Sequence, residues 1–472
     1  VALQSADLIC KTFGPGPGQL QEPPGHEEIE IGLVKLFRAT GDQKYLDQAK
    51  FFCDIRGRAD THKLRGAYQQ DDKPIVEQSE AVGHSVRAGY FYTGVADVAA
   101  LTGDTAYIQA IDRIWENVVG QKIHLTGGIG ASPGGEAFGK NYELPNASAY
   151  LETCAAIANA LWNERMFLLH GDAKYLDVLE RVIYNGFLSG VSLTGDRFFY
   201  PNPLESDGKK KFNHGSCERA PWFGCSCCPV NDVRFIPEIA SFAYATRGSE
   251  LFVNLYLGSS AQCVVAGAPV ELRQTTRYPW DGKVTLTISQ VGAGAAKVPF
   301  TLNLRVPGWA VSQPVPSDLY RYDDGLKPRI KLAVNGKAMK LKLKQGFAQI
   351  TRDWKAGDTV TLDLEMPVRR VVANPAVEAD RDRFALERGP VVYCAEGADN
   401  NGQVLDKVFA GPVRFQINER PNLLGGVTTV KMTSATKADA LTCIPYYAWC
   451  HRGANEMRVW FPTQAQTQAK GQ

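Results

Sequence analysis

The spacing of apolar residues changes about halfway along the chain and divides it into a helical part and a β-rich part. Up to about residue 245 apolar residues recur every three or four positions, as in GHEEIEIGLVKLFRATGDQKYLDQAKFFCDIRGR, which is the spacing of amphipathic helices. After about residue 248 apolar and polar residues alternate in short runs such as KVTLTIS, FTLNLRV and TVTLDLEM, separated by Gly, Pro and Asn. These runs predict the strands of β-sandwich domains.

A helix-turn-helix unit is repeated within the helical part. The segments LFRATGDQKYLDQAKFF, VAALTGDTAYIQAIDRIW and LLHGDAKYLDVLERVIY each contain a helix end, a Gly-Asp turn and the start of another helix. Stacked helical hairpins form an open solenoid or a closed toroid, and the uneven spacing of the copies favours the toroid. A toroid commonly has about a dozen helices, whereas about seven or eight are predicted here, so we expect its first helices to be missing.

The change of period predicts three domains. With 472 residues, 44% of them hydrophobic, the chain is too long for one ordinary domain and can bury several cores. We predict a helical domain over residues 1–246, a β-sandwich domain over 247–395 and a second, smaller β region over 396–472.

Charge and hydropathy argue against several classes of function. The net charge of +2 gives no electrostatic reason to expect nucleic acid or an acidic partner. No apolar run approaches the ~20 residues of a transmembrane helix, and VALQSADLICKTFGPG lacks the order of a signal peptide. We therefore expect a soluble protein of the cytoplasm or a mild periplasm, with no nucleic-acid or membrane partner. A homodimer is compatible with this composition.

Three cysteines lie close together in the segment WFGCSCCPVND. They are Cys225, Cys227 and Cys228, in a chain whose 11 cysteines form an odd number that argues against a disulfide scaffold. Three interpretations of the adjacent pair remain open. A vicinal disulfide is strained, free cysteines can be inert buried thiols, and thiolates are the soft ligands that zinc prefers.

Two further metal ligands are predicted in the segment ELPNASAYLETCAAIANALW. Glu152 and Cys154 flank Thr153, which we predict to be the N-cap of the following helix, with Cys154 at the first helical position. In an extended lead-in, residues two apart point the same way. With Cys227 and Cys228 they give three thiolates and one carboxylate, a set suited to Zn²⁺. For this segment alone, a solvated glutamate and a packed cysteine are the simpler interpretation.

Six motifs occur in order between residues 83 and 232, within a resemblance that runs from about residue 7 to about residue 462. They are GHSVRAGYFYTGVADVAALTGD, LTGGIGA, GEAFGKNYELPNASAYLETCAAIANALWNERMF, VIYNGFLSGVSL, FFYPNPLES and WFGCSCCPVND. Together they resemble glycoside hydrolase family 127, the zinc-cysteine β-L-arabinofuranosidases. The resemblance implies an α + β multidomain fold, with an (α/α)6 barrel followed by β-sandwich domains.

The resemblance also implies a role for each residue of the expected site. Zn²⁺ would be held by the four residues named above, and Cys227 would be the nucleophile that forms a thioglycosyl intermediate. Glu136 would be the general acid and base, which requires a pKa raised toward the working pH. Glu143, in the same loop, is its nearest competitor.

Three further residues match substrate-binding positions of the family, and one cysteine is left outside the metal set. The substrate-binding residues are His26, His84 and Tyr200, which would contact the sugar. Cys225 is expected near the zinc but not bound to it.

The leading hypothesis is a retaining exo-glycoside hydrolase that releases β-linked L-arabinofuranose, or a related furanose, from an oligosaccharide or glycoside. One alternative keeps the machinery but changes the sugar to another component of pectin. The other is a non-catalytic carbohydrate-binding protein whose closed, four-ligand zinc site is structural. A carboxylate opposite the metal, such as Glu136, favours the enzyme because a structural site gains nothing from it.

Overall fold

A computed structural model describes residues 1–292, 297–435 and 439–464. It is a mixed helix and sheet multidomain protein with a sheet-rich C-terminal half, as the change of apolar period predicts. Among the described residues, no helix combines the length and the apolar character needed to cross a bilayer. The α-helices are α1 (Ala2–Thr12), α2 (Ile29–Thr40), α3 (Gln43–Ile55), α4 (Ser85–Thr102), α5 (Thr105–Asn117), α6 (Thr153–His170), α7 (Ala173–Arg181) and α8 (Cys227–Glu238).

The three repeated Gly-Asp turns connect successive helices as predicted. In each turn a glycine with a left-handed conformation ends one helix, because only a residue without Cβ adopts it freely. The next aspartate caps the following helix by accepting a hydrogen bond from a backbone N–H. The pairs are Gly41 and Asp42 between α2 and α3, Gly103 and Asp104 between α4 and α5, and Gly171 and Asp172 between α6 and α7.

The helices form two layers. In the inner layer α4 packs against α2 and α6, and α6 packs against α8; in the outer layer α3, α5 and α7 each pack on the helix before them. The inner helices α4 and α6 are buried on nearly all sides, as their small residues allow. At Gly89 of α4 a Cβ atom would lie 2.7 Å from the Cβ of Ala158, so the absence of a side chain lets the two inner helices approach closely.

The strands form three sheets. They are β1 (Glu205–Asp207), β2 (Tyr244–Arg247), β3 (Glu250–Val253), β4 (Ser259–Val265), β5 (Ala268–Thr276), β6 (Lys283–Val291), β7 (Val298–Arg305), β8 (Tyr320–Tyr322), β9 (Ile330–Val334), β10 (Lys337–Met339), β11 (Leu343–Lys344), β12 (Phe347–Trp354), β13 (Thr359–Leu364), β14 (Val368–Ala373), β15 (Arg383–Arg388), β16 (Val391–Glu396), β17 (Val413–Arg420), β18 (Val427–Ser434), β19 (Ala440–Pro445), β20 (Glu456–Arg458) and β21 (Phe461–Pro462).

Two of the sheets enclose one apolar core, as expected for a β-sandwich. The first has the order β10-β9-β13-β6-β5-β4 and the second β11-β12-β7-β3-β2, in which only β3 and β7 pair in parallel. Leu286 and Leu362 of the first sheet share this core with Leu302 and Ile350 of the second. The alternating runs KVTLTIS, FTLNLRV and TVTLDLEM therefore point every second side chain into the core.

The third sheet contains ten strands and follows the path β17-β18-β19-β16-β15-β14-β8, with β1, β20 and β21 attached at its side. It includes β8 from within the sandwich segment and β1 from within the helical segment, so distant parts of the chain meet in it. The domain bounds at residues 246 and 395 stay a prediction.

A buried ion cluster fixes the β-sandwich to the helical part. Arg305 of β7 is fully buried, and its guanidinium group lies 2.8 Å from Asp177 Oδ1 of α7 and also contacts the Glu180 carboxylate. Burial raises the pKa of Asp177 to about 6, although the charge of Arg305 acts in the opposite direction. The third sheet is held in the same way, because Arg181 pairs with Glu387 of β15 in a buried contact.

We expect Arg305→Met to destabilise the protein by about 3–5 kcal/mol, because Asp177 and Glu180 would then be buried without a counter-charge. Urea unfolding followed by tryptophan fluorescence measures this. The matched control is Arg329→Met, which removes an ion pair with Glu365 whose arginine side chain is 75% exposed. The control should change the free energy of unfolding by less than about 1 kcal/mol. Equal losses in both variants would contradict the structural role given to Arg305.

Candidate active site

The N-terminal ends of three inner helices meet at one place. His84 immediately precedes α4, Glu152 immediately precedes α6, and Cys227 is the first residue of α8. The N-terminal end of a helix carries a partial positive charge and unpaired N–H groups, so it favours thiolates and carboxylates. The close packing of the inner layer therefore concentrates anion-stabilising helix ends at this site.

Glu152, Cys154, Cys227 and Cys228 form a compact group whose ligand atoms all lie within 4.8 Å of one another. The sulfur atoms of Cys154 and Cys228 are 3.5 Å apart and those of Cys227 and Cys228 are 3.9 Å apart. Glu152 Oε1 is 3.4 Å from the Cys227 sulfur and 3.6 Å from the Cys228 sulfur. Residues 152–154 and 227–228 are distant in sequence, so the fold alone brings them together.

These distances fit a tetrahedral metal site. With metal–sulfur bonds of about 2.3 Å, two sulfur ligands of a tetrahedral zinc ion lie about 3.8 Å apart. The other carboxylate oxygen of Glu152 is buried and has no hydrogen-bond partner among the described residues, which is costly for a polar atom unless a cation lies close to it. The group therefore could hold a metal ion, and three sulfurs with one oxygen suit a soft divalent cation.

The charges of the group also call for a cation. Burial raises the pKa of Glu152 and of Cys228 well above their usual values, and the hydrogen bond with Cys227 does the same for the pKa of Cys154. The hydrogen bonds from the thiols of Cys154 and Cys228 lower the pKa of Cys227. The protein alone thus keeps negative charge on one sulfur only, whereas a bound divalent cation would let all four groups ionise.

The start of α6 differs from the sequence-based prediction. Glu152, rather than Thr153, occupies the N-cap position, and the Thr153 hydroxyl donates a hydrogen bond of 2.7 Å to the carbonyl oxygen of Phe199. The Glu152 carboxyl group makes no capping bond because it faces the sulfur atoms. Cys227 and Cys228 are the first two residues of α8, where the helix dipole stabilises their thiolates.

Glu136 lies beside this group, on a loop with a strained backbone. Its φ angle is 51°, in the left-handed region that side chains with a Cβ atom avoid. One carboxylate oxygen is 2.8 Å from His84 Nε2, and the other accepts a hydrogen bond of 2.7 Å from the Tyr150 hydroxyl. Ligand atoms of His84, Glu136 and Glu152 lie within 4.8 Å of one another. Because Glu152 also belongs to the cysteine group, it links the Glu136 carboxyl group to the thiols.

The pKa of Glu136 shifts in the direction opposite to the one expected. The hydrogen bond with His84 lowers it, and the bond from Tyr150 acts in the same direction, while burial opposes both. The carboxylate form is therefore favoured in the free protein. The motif that contains Glu136 also contains Tyr150, and His84 lies in the motif GHSVRAGYFYTGVADVAALTGD, but the sequence did not indicate that either side chain contacts Glu136.

Glu143, the competitor for the same role, is turned away from the site. Its carboxylate accepts a hydrogen bond of 2.8 Å from the backbone N–H of Lys140, and the residue is exposed. Glu136 is therefore the carboxyl group of this loop that lies beside Glu152 of the cysteine group.

Tyr200 is buried beside the first cysteine of α8. Its hydroxyl oxygen is 3.0 Å from the Cys227 sulfur and 3.9 Å from the sulfur of the exposed Cys225. Cys225 thus lies at the edge of the site and outside the four-residue group, where the sequence analysis expected it.

His26 lies in a loop that is tied to the start of α4. It is exposed, and its ring contacts the carbonyl oxygen of Glu27. Arg87 of α4 fixes the loop by donating to the Gly25 carbonyl at 2.8 Å and to the Glu27 carboxylate at 3.0 Å. Within the described residues, His26 makes no hydrogen bond to the cysteine group or to Glu136, in contrast to His84 and Tyr200.

The sequence analysis missed two residues that contact the site. Tyr150 precedes Glu152 by two positions in the same motif, but Leu151 between them has a φ angle of 42°, so the segment is not a regular extended strand and alternation gave no signal for Tyr150. His214 had been given no role, and no motif surrounds it. Its Nε2 atom is 3.4 Å from the Tyr150 hydroxyl, and its ring centroid is 4.3 Å from that of Tyr200.

Comparison with known proteins identifies the class of this protein. The family model for the β-L-arabinofuranosidase GH127 catalytic domain matches residues 1–241. The models for the GH127 middle domain and the glycoside hydrolase family 127 C-terminal domain match residues 250–366 and 368–462. The protein is therefore an enzyme of the glycoside hydrolase class. The chain belongs to glycoside hydrolase family 127, which confirms the resemblance seen in the motifs.

Curated and solved relatives agree with this assignment. The non-reducing end β-L-arabinofuranosidase of Bifidobacterium longum subsp. longum is 34% identical over 509 aligned residues, which cover 98% of this chain and 74% of the relative. A solved GH127 β-arabinofuranosidase is 49% identical with a TM-score of 0.92, over 98% of this chain and 72% of that one. A GH127 β-L-arabinofuranosidase from Geobacillus stearothermophilus T6 is 37% identical with a TM-score of 0.88, over 98% and 75% of the two chains.

Proposed function

We propose that this protein is a retaining exo-glycosidase that releases β-linked L-arabinofuranose from an oligosaccharide or a glycoside. The observation that carries the proposal is a partly exposed thiol, Cys227, which lies next to the Glu152 carboxyl group, as Glu136 does. A nucleophile and a carboxylic acid close to each other are the two groups that a double displacement at a sugar carbon requires. Relatives named as β-L-arabinofuranosidases support the choice of sugar.

In the first step the Cys227 thiolate attacks the anomeric carbon and forms a carbon–sulfur bond. The bond from this carbon to the glycosidic oxygen breaks, and Glu136 donates a proton to the departing oxygen. In the second step Glu136, now a carboxylate, takes a proton from water. The water oxygen displaces the sulfur, which leaves as a thiolate. Two inversions at one carbon give net retention of configuration.

We propose that Zn²⁺ is held by Glu152, Cys154, Cys227 and Cys228. The donor set of three sulfurs and one oxygen, the 3.5–3.9 Å spacing of the sulfurs and the unpaired Glu152 oxygen support this assignment. When bound, the ion would keep the thiols deprotonated at neutral pH and so make Cys227 both a better nucleophile and a better leaving group.

We assign the three remaining predicted residues to the binding of the sugar. His84 and Tyr200 contact Glu136 and Cys227 respectively, so we assign them to hydrogen bonds with the furanose hydroxyl groups. We assign His26 to a contact with the same sugar. It lies on the loop that Arg87 fixes to the start of α4. The two helical layers that carry these residues are proposed to belong to an (α/α)6 barrel.

The test is incubation with an aryl β-L-arabinofuranoside before and after treatment with a zinc chelator. We expect the untreated protein to release arabinose whose first-formed anomer, observed by NMR, is β. Removing the metal should lower kcat/KM by about 100-fold or more, because the ion would stabilise the Cys227 thiolate when it leaves in the second step. Added Zn²⁺ should restore the activity.

A second readout makes the metal assignment independent of activity. Elemental analysis should find one zinc per chain, and the number of thiols that react with a thiol reagent should rise when the metal is removed, because the three cysteine sulfurs of the group are then free. Full activity in metal-free protein, or release of the α anomer first, would contradict the proposal.

A further inference from the structure

The region beside Glu136 carries two side chains to which the proposed mechanism assigns no role. In that mechanism Glu136 protonates the glycosidic oxygen, so the group attached to this oxygen, the aglycone, must lie next to the Glu136 carboxyl group. Tyr68 and His214 flank this carboxyl group. Each of them lies behind one of the two hydrogen-bond partners of Glu136, which are His84 and Tyr150.

Tyr68 lies on the His84 side. Its ring meets the His84 ring edge-on with centroids 5.2 Å apart, and the Arg87 guanidinium lies 5.2 Å from its centroid. A Cβ atom on Gly135, next to Glu136, would be 3.8 Å from the Tyr68 ring. In the described part of the chain, the exposed Phe, Tyr and Trp side chains are Tyr68, at 45%, and Trp222, at 59%. An aromatic ring left in water beside a catalytic carboxyl group offers apolar surface to a ligand.

His214 lies on the Tyr150 side. It is exposed, its Nε2 atom is 3.4 Å from the Tyr150 hydroxyl, and its ring packs against Tyr200 and Phe223. Its φ angle is 47°, in the left-handed region, where asparagine and histidine occur more often than most residues other than glycine.

We propose that Tyr68 and His214 form the aglycone-binding site of this enzyme and that the aglycone they hold is a second sugar residue. The face of an aromatic ring packs against the C–H groups of a sugar, while an imidazole nitrogen hydrogen-bonds a hydroxyl group. A small alcohol such as methanol offers a single methyl group, whereas a sugar ring offers both apolar and polar surface. This inference rests on the proposed function, because the bond that Glu136 helps to break defines the aglycone position.

The test compares two substrates with the same arabinose and with unactivated alcohol leaving groups. One is a disaccharide with a terminal β-L-arabinofuranose, and the other is methyl β-L-arabinofuranoside. The measured quantity is the ratio of their kcat/KM values, which cancels effects on the arabinose site. We expect the wild type to prefer the disaccharide by about tenfold or more, and Tyr68→Ala to reduce the ratio about fivefold to tenfold, mainly through the KM of the disaccharide.

His214→Asn gives a variant that separates binding from folding. Asparagine tolerates the left-handed conformation, so the thermal midpoint of this variant should be no lower than that of the wild type. Its substrate ratio should nevertheless fall by about threefold or more, because asparagine cannot offer the imidazole ring to the aglycone. A ratio that falls without a loss of stability would support a binding role.

Trp222→Ala provides the comparison for an exposed aromatic ring, on the cysteine segment. The assignment would be overturned if this variant selectively lost activity on the disaccharide while the variants of Tyr68 and His214 kept the wild-type ratio. The aglycone site would then lie on the segment of Trp222. Equal kcat/KM values for the two substrates in the wild type would overturn the proposal that the aglycone is a second sugar residue. Failure of the wild type to release arabinose from any glycoside would instead reject the proposed function itself, so the two failures are distinguishable.

Discussion

Replacing Cys227 by serine is expected to lower kcat/KM on an aryl β-L-arabinofuranoside by about 1,000-fold or more. The ion proposed to be held by the group would keep Cys227 a thiolate at neutral pH, and in the protein alone hydrogen bonds from Cys154 and Cys228 already lower the pKa of this thiol. A serine hydroxyl at this position stays protonated and is a poor nucleophile. Steady-state kinetics at neutral pH measure the effect, and elemental analysis measures whether the variant still binds metal.

The matched control is Cys225→Ser, two residues earlier in the same segment. Its sulfur also lies near the Tyr200 hydroxyl, at 3.9 Å, but it is exposed and outside the four-residue group. We expect this variant to keep its activity to within about twofold. A slow substrate quenched during turnover should also leave a pentosyl adduct on the peptide that contains Cys227. An adduct on a different cysteine, or normal turnover by Cys227→Ser, would reject the nucleophile assignment.

Local signals were sufficient to predict much of the fold and the composition of the cysteine group. The Gly-Asp turns were readable because a left-handed glycine and an aspartate N-cap are both encoded within a few residues. The strands β6, β7 and β13 were readable from their alternation. Glu152 and Cys154 could be grouped with Cys227 and Cys228 as candidate metal ligands, because zinc is bound by few types of side chain.

The parts that sequence could not predict depend on contacts between distant segments. The pKa of Glu136 is lowered by His84, which is 52 residues away, so no motif around Glu136 contains the cause. His214 reaches the site through Tyr150 and Tyr200, from a segment without a motif. The strand β8 joins the ten-stranded sheet by pairing with β14. This pairing depends on the register between distant segments, which no local pattern encodes.

Replacing Glu136 by glutamine is expected to have the second large effect, and its size should depend on the leaving group. For an alkyl or sugar aglycone, whose oxygen must be protonated as the bond breaks, kcat/KM should fall by about 100-fold to 10,000-fold. A 4-nitrophenyl aglycone leaves as a stable anion, so the first step needs little protonation and its rate should fall by about tenfold or less. Glutamine keeps the shape of the side chain and still accepts the hydrogen bond from Tyr150, so the fold should be unaffected.

Glu143→Gln serves as the matched control, because it changes a carboxyl group of the same loop that only accepts a backbone hydrogen bond from Lys140. It should keep both activities to within about twofold. With the 4-nitrophenyl substrate, Glu136→Gln should also slow the second step, because no carboxylate remains to take the proton from water. Added azide needs no deprotonation, so it should restore turnover and give a β-arabinosyl azide. An equal loss on both aglycones would mean that Glu136 only positions the substrate, since a proton donor must discriminate between leaving groups of different basicity.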